Sequence, residues 1–278
     1  MKAKVKQIKQ SVAFWCFENC PEKWTLKRTA EAALNTGCES VELLFPAQIP
    51  IVTAMGLKCA VTQIDMASYP PFVKGFNNPK YLPEVLKATR GAIDGAAANG
   101  SPSVIAFSGY RFRDVDNPAA GSIDAEEGMA NCVAGLKKIA GYAEKKKVCI
   151  CLEMLNTLPD PDPMKGHPGY QGDSLEWCAR IVRAVGSPQV KLLFDAYHVQ
   201  LMGGNLINQI MAFKDIIGHV HFSGCPGRGN LDNTQEINFA GLVNAFLEAG
   251  YQGYIGHEFL PVGDPFTALA NAVELCRR

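Results

Sequence analysis

The sequence predicts a single (β/α)8 TIM barrel that takes up residues 1–278 as one domain. Three observations carry that expectation. Eight short β-rich runs alternate with helix-like segments, the runs are apolar almost throughout, and none is followed by a GxGxxG or Walker loop. Near-continuous apolar strands belong to parallel sheets covered by helices on both faces. A doubly wound open sheet is the rival, but eight βα units without a nucleotide-binding loop favour closure into a barrel. Such a barrel needs about 250 residues, and the chain supplies 278 with no compositional break and no low-complexity linker.

In chain order the β-rich runs are 10–17, 40–45, 57–64, 103–109, 148–155, 190–198, 217–224 and 254–261. The helix expected near 47–55 is short. Asp124-Ala125-Glu126-Glu127 and Asp173-Ser174-Leu175-Glu176 read as capping boxes, with a side-chain acceptor at the N-cap and a glutamate three residues on. Asp264 places an N-cap before Pro265, whose fixed φ suits the first helical position. Gly37, Gly100, Gly186 and Gly250 stand where helices should stop, a few residues before the next strand. Lys145-Lys146-Lys147, the longest basic run, suits a helix C-terminus, where cations meet the negative end of the macrodipole.

Composition narrows the function classes. Twenty-seven basic residues balance 27 acidic ones, so no basic excess points to nucleic acid. No apolar run reaches transmembrane length, and a membrane role is not expected. The ten cysteines are scattered without a CxxC pair, and several lie in apolar stretches, which suggests small reduced core residues in a cytoplasmic setting. Residues 2–9 are basic and 11–17 apolar, but the apolar part is short and Glu18 follows it. A first strand is expected there rather than a signal peptide, with room left for a presequence removed before Met1.

Active sites of βα barrels gather at the carboxyl ends of the strands. Late in four consecutive strands stand Glu153, Asp195, His221 and Glu258. A carboxylate embedded in an apolar strand is costly unless paired or metal-bound, and four such groups in adjacent strands are hard to explain as isolated accidents. Three carboxylates and one imidazole favour one divalent ion, Mg²⁺ or Mn²⁺, with Co²⁺ or Zn²⁺ as alternative occupants. His219 shares a face with His221 but lies deeper, and His257 should point away from Glu258 toward the helices. An ion that chelates adjacent carbonyl and hydroxyl oxygens acidifies the C–H between them. Glu153 and Glu258, on strands separated by two others, could flank such a substrate and pass the proton.

The runs Leu152-Glu153-Met154-Leu155-Asn156, Leu193-Phe194-Asp195-Ala196-Tyr197-His198, Gly218-His219-Val220-His221 and Gly253-Tyr254-Ile255-Gly256-His257-Glu258 resemble the xylose-isomerase-like barrels. Within them they look most like the hydroxypyruvate isomerase group, with the D-tagatose/D-psicose 3-epimerases as cousins. Cys225-Pro226-Gly227-Arg228 and Gln235-Glu236-Ile237-Asn238-Phe239 are also similar to that group's seventh loop and following helix. The resemblance implies a single divalent metal held by Glu153, Asp195, His221 and Glu258, with Glu153 and Glu258 as the acid/base pair. It also implies that His198 and Arg228 contact substrate oxygens and that the chain forms a homodimer. Two departures stand out. Some members of the group carry glutamine at the His221 position, and the epimerases keep a further glutamate where this chain has Asn156-Thr157-Leu158-Pro159-Asp160.

Around the mouth, residues 154–172 form a long connection rich in proline and glycine, either a lid with His167 and Tyr170 facing substrate or a proline-stiffened structural loop. Arg228 sits between Gly227 and Gly229, where backbone freedom lets a guanidinium reach an anionic or hydroxylated substrate. Glu42 is either a polar pocket wall contacting substrate or a buried salt-bridge partner. Trp15 and Phe72 are candidate apolar walls, and 69–79 is expected to cover the site or meet another subunit. The expected function is metal-dependent isomerisation of a small α-hydroxy carbonyl compound. Ketose 3-epimerisation, or dehydration or isomerisation of a keto-polyol or sugar acid, would use the same residues. A multi-zinc DNA-repair enzyme needs more ligands than five histidines and a neutral chain provide, and a non-catalytic binding protein would have lost one of the four.

Overall fold

The computed structural model describes residues 8–277; of the basic segment weighed as a leader, residues 2–7 lie outside the described residues. The strands are β1 (Lys9–Ala13), β2 (Ser40–Glu42), β3 (Val61–Thr62), β4 (Ser103–Phe107), β5 (Cys149–Glu153), β6 (Val190–Asp195), β7 (Ile217–Phe222) and β8 (Tyr254–His257). Their neighbours run parallel in the order β2-β1-β8-β7-β6-β5-β4-β3. Parallel bridges Ser40–Lys58 and Leu44–Thr62 span the seam between β2 and β3 and draw the sheet round into a barrel. Outside it lie α1 (Phe14–Glu18), α2 (Leu26–Thr36), α3 (Ile49–Thr53), α4 (Leu82–Asn99), α5 (Ala125–Lys146), α6 (Leu175–Val185), α7 (Ala196–Met202), α8 (Leu206–Phe213), α9 (Phe239–Glu248) and α10 (Pro265–Leu275).

Capping chemistry fixes most helix boundaries. Asp124 accepts hydrogen bonds from the Glu126 and Glu127 amides and starts α5, whose last turn carries Lys145 and Lys146. Asp264 caps α10 ahead of Pro265. Gly37, Gly100 and Gly186 close α2, α4 and α6 in the left-handed region expected of C-terminal glycines. One cap differs from expectation. Ser174, not Asp173, starts α6 by accepting from the Trp177 amide, because the Asp173 carboxylate is taken by the Thr157 hydroxyl.

All eight strands are shorter than their apolar runs, and three show why. The first gives way to α1 at Phe14, and the sixth to α7 at Ala196, where the Asp195 side chain caps the new helix. The third keeps two residues. There the Ser40 hydroxyl accepts from the Ala60 amide at 2.8 Å and the Ser103 hydroxyl donates to the Ala60 carbonyl at 2.6 Å, so side chains replace the ladder.

The core lies between barrel and helices, as in the edge-on contacts of Phe194 with Phe246 and the packing of Phe222 on Phe239. Each such buried side chain contributes roughly 1.5–3 kcal/mol. Outward-facing polar groups pair with one another in the same layer at Gln10 and His257. His257 meets the Gln10 side chain at 2.8 Å, and Gln10 donates to the Val273 carbonyl on α10, which gives His257 the helix-facing structural position expected for it.

Candidate metal centre and substrate cavity

At the carboxyl ends of β5 to β8, Glu153, Asp195, His221 and Glu258 each bring one ligand-type atom to within 4.8 Å of the others, and all four are buried. Local folding aims each of them. Asp195 ends β6 and turns Oδ1 onto the first amides of α7, Tyr197 at 2.8 Å and His198 at 3.3 Å, which leaves Oδ2 for the centre. Glu258 continues β8, and its Oε1 accepts from the Trp15 indole at 2.8 Å. Glu153 closes β5, with its backbone carbonyl held by the Tyr170 hydroxyl, which also accepts from the Ser108 amide. His221 turns Nδ1 toward Glu258 Oε2 at 2.9 Å and Glu153 Oε1 at 3.5 Å.

The charges do not balance within the cluster. Three carboxylates face the Arg228 guanidinium, 2.7 Å from Glu258 and 3.3 Å from Asp195, and the His221 ring. Burial raises the Asp195 carboxyl to about 7 against the pull of Arg228. Burial also raises Glu153. Glu258, although equally buried, is held well below the usual carboxylate range by His221 and Arg228. Burial opposes a charged His221, but Glu258, Glu153 and Glu42 overcome it and push the imidazole well up. Glu153 Oε1 has no hydrogen-bond donor despite being buried. An oxygen-rich, electron-rich set with an orphaned carboxylate oxygen fits a small divalent cation.

Arg228 adopts φ +54 and directs its guanidinium beneath the Trp15 and Tyr197 rings, while Nη1 donates to the Met164 carbonyl at 2.7 Å. The 154–172 connection is thereby tied to the cluster. A second tether is Asn156, which donates to the Lys165 carbonyl and meets His198 Nδ1 at 2.8 Å.

Above the cluster opens a cavity of about 290 Å³. Glu153, Glu258, Arg228 and His167 line its floor and side, and Trp15, Leu43, Pro70, Pro71, Phe72, Ile105, Phe107, Leu155 and Met164 give it an apolar wall. Of the segment at 69–79, Pro70, Pro71 and Phe72 are the residues that line the cavity. His167 packs edge-on against Phe72 at 4.5 Å, neither of its nitrogens has a protein partner, and burial lowers it to about 3, so the ring is neutral.

Other sequence candidates lie elsewhere. His198 is fully buried behind Asp195, with Asn156 on its Nδ1, and is not among the residues lining the cavity. Glu42 is likewise off the wall: its Oε1 lies 3.1 Å from His219 Nε2 and 3.0 Å from His221 Nε2. Of the two roles open to it, the buried ion-pair partner is the one formed, because β2 points it inward below the mouth. Tyr170 braces the backbone instead of facing the cavity. Sequence reasoning took Trp15 for a wall and missed its indole N–H as a donor to Glu258. Its place two residues after β1, at the same end of the barrel, was the available signal.

Comparison with known proteins agrees with this architecture. Residues 30–278 match the family described as "Xylose isomerase-like TIM barrel". A putative hydroxypyruvate isomerase of Homo sapiens is 30% identical over 264 residues, covering 92% of this chain and 90% of that protein. The hydroxypyruvate isomerase of Escherichia coli is 28% identical over 137 residues, 49% of this chain and 50% of that one. Among solved structures, an AP endonuclease of family 2 from Brucella melitensis superposes with a TM-score of 0.79 at 19% identity, over 96% of this chain and 97% of the other, a likeness of fold. The protein is an isomerase of the xylose isomerase-like TIM-barrel family.

Proposed function

We propose that the protein isomerises a small α-hydroxy carbonyl compound of the hydroxypyruvate type, with one divalent ion, Mg²⁺ or Mn²⁺, held by Glu153, Asp195, His221 and Glu258. The observation that carries this reading is the convergence of four buried ligand-type atoms from four adjacent strands, two of whose residues, Glu153 and Glu258, line a cavity with a largely apolar wall. The names of the human and E. coli relatives support the substrate class. The bound ion would supply Lewis acidity, favouring loss of a proton from the carbon beside the carbonyl.

The residues divide the remaining work. Glu258, kept ionised by His221 and Arg228, takes the proton from the hydroxyl-bearing carbon. Glu153, whose buried carboxyl holds a proton more readily, returns one to the neighbouring carbon. The hydroxyl proton passes to the former carbonyl oxygen, and Glu258 releases its proton to solvent while Glu153 regains one, so atoms balance and no electrons leave the substrate. The His167 imidazole, neutral and unpartnered, donates a hydrogen bond to a substrate oxygen. The apolar wall, including Trp15 and Phe72, excludes water that would reprotonate the carbanion at random. Arg228 meets the substrate's anionic end with the guanidinium that otherwise spans Glu258 and Asp195.

Exchange of substrate C–H with solvent deuterium tests this directly. With Mn²⁺ or Mg²⁺ added after chelation, hydroxypyruvate should exchange and interconvert, and Glu153→Gln and Glu258→Gln should each lower exchange by about a thousandfold while remaining folded. Ordinary exchange by either variant would refute the acid/base pair. Exchange confined to free ketoses would move the substrate to the epimerase class, and exchange in the chelated protein would remove the metal from the mechanism.

A further inference from the structure

We propose that Glu42 is a positioning residue of the metal centre: from the interior of the barrel it orients His221 and determines which ring nitrogen faces Glu153 and Glu258. This rests on the reading of the four-residue cluster as a metal site.

Glu42 lies on β2, on the far side of the barrel interior from β5 and β6, and is completely buried. Its Oε1 lies 3.0 Å from His221 Nε2 and 3.1 Å from His219 Nε2, with the two imidazoles edge-to-face at 84°. A carboxylate can only accept hydrogen bonds, and a neutral imidazole carries a single N–H. Of the two contacts, that with His219 has hydrogen-bond geometry; His221 Nε2 stands 3.0 Å from Glu42 without it, and Nδ1 lies 2.9 Å from Glu258 Oε2. A cation that takes the Nδ1 lone pair leaves the ring's single N–H to Nε2, where the Glu42 carboxylate is the acceptor within reach.

Room for this arrangement is built into the neighbouring strands. Ala13 on β1 stands in register with Glu42 and presents only a methyl group. On β8, Gly256 lies where any Cβ would come within 1.9 Å of Glu42 Oε1 and 2.8 Å of His221 Cδ2. Leu43, directly after Glu42, adopts a left-handed φ of +56, a conformation non-glycine residues rarely take. A pairing with His219 alone would not account for the approach to the second histidine. The carboxylate's position makes sense when His221 is the group being served, as metal-ligating histidines are commonly oriented by a carboxylate on the other ring nitrogen.

The test uses the full chain, stripped of metal and titrated with Mn²⁺ while free Mn²⁺ is followed by its paramagnetic resonance signal. Wild type should bind one ion per chain. Glu42→Gln should weaken binding by about ten- to a hundredfold, since an amide can donate to Nε2 and admit the wrong tautomer. Glu42→Asp should restore part of the affinity. His219→Gln, which removes the other partner of Glu42, should stay close to wild type. Thermal unfolding of the metal-free proteins separates lost folding from lost positioning. Equal Mn²⁺ affinity in wild type and Glu42→Gln would overturn the inference, as would two ions per chain, the second of which would make Glu42 itself a ligand. Failure of wild type to bind would instead overturn the metal site on which the inference rests. Should Glu42→Gln not fold, ¹⁵N resonances of the five histidines in the Mg²⁺-loaded wild type decide the matter. His221 should carry its proton on Nε2, and a proton on Nδ1 would refute the proposal.

Discussion

Single atoms decide the chemistry of the cluster, and the Trp15 indole is the most exacting of them. It donates to Glu258 Oε1 at 2.8 Å, so one carboxylate oxygen is held by the indole while the other faces Arg228 and His221. Hydrogen bonds to charged groups contribute about 1.5–3 kcal/mol. Trp15→Phe keeps an aromatic wall and deletes the donor. It should lower the deuterium-exchange rate by about ten- to a hundredfold and move the acid limb of the pH–rate profile upward, because Glu258 becomes easier to protonate. An unchanged profile would show that the indole only packs. At this scale the clustering of Glu153, Asp195, His221 and Glu258 was legible because a polar group late in an apolar strand breaks the pattern around it. Glu42 broke the pattern equally, but whether it faces substrate or another side chain depends on a distance across the barrel that no local pattern encodes.

Elements deliver these atoms to one place. The 154–172 connection has no helix of its own, yet it is pinned at both ends. Tyr170 joins the Ser108 amide after β4 to the Glu153 carbonyl on β5, and Met164 accepts from Arg228. Tyr170→Phe would strip the acceptor from a buried amide, a loss of about 1–3 kcal/mol. Urea unfolding should show that destabilisation, and exchange activity should fall with it because Glu153 loses its brace. A variant as stable as wild type would mean that water or a shifted backbone replaces the hydroxyl. The capping signals that set α5 and α10 were readable, since they need only neighbours in sequence. The ends of β1 and β6 were not. There, apolar residues continue into short helices whose packing, not their hydrophobicity, fixes the backbone.

For the whole molecule, buried histidines couple stability to pH. His257 sits between barrel and helix layer, and burial lowers it to about 4 from 6.5. The unfolded chain therefore takes up a proton that the folded one refuses over that window. The neutral ring's contribution is whole above about pH 6.5 and is lost progressively as pH falls toward 4. At about 1.4 kcal/mol per pH unit, the loss amounts to roughly 3 kcal/mol for this one group. His257→Gln, which keeps a donor for Gln10 but does not titrate, should shed that dependence, so its deficit against wild type should shrink by roughly this amount between pH 6.5 and pH 4. Denaturant unfolding at several pH values checks it, and parallel curves would refute it.

By itself, the sequence determined the number and order of βα units, the strand ends at which Glu153, Asp195, His221 and Glu258 stand, and helix caps such as Asp124 and Asp264. Each of these follows from hydrophobic periodicity or from hydrogen bonds between residues close in the chain. Only the tertiary structure decided which groups face the cavity and which face each other. It set Trp15 against Glu258 across 243 positions and Glu42 against His219 across 177, and it placed His198 behind Asp195. Barrel closure brings those atoms together, and the space left by neighbouring strands, as at Gly256, determines which side chain reaches which.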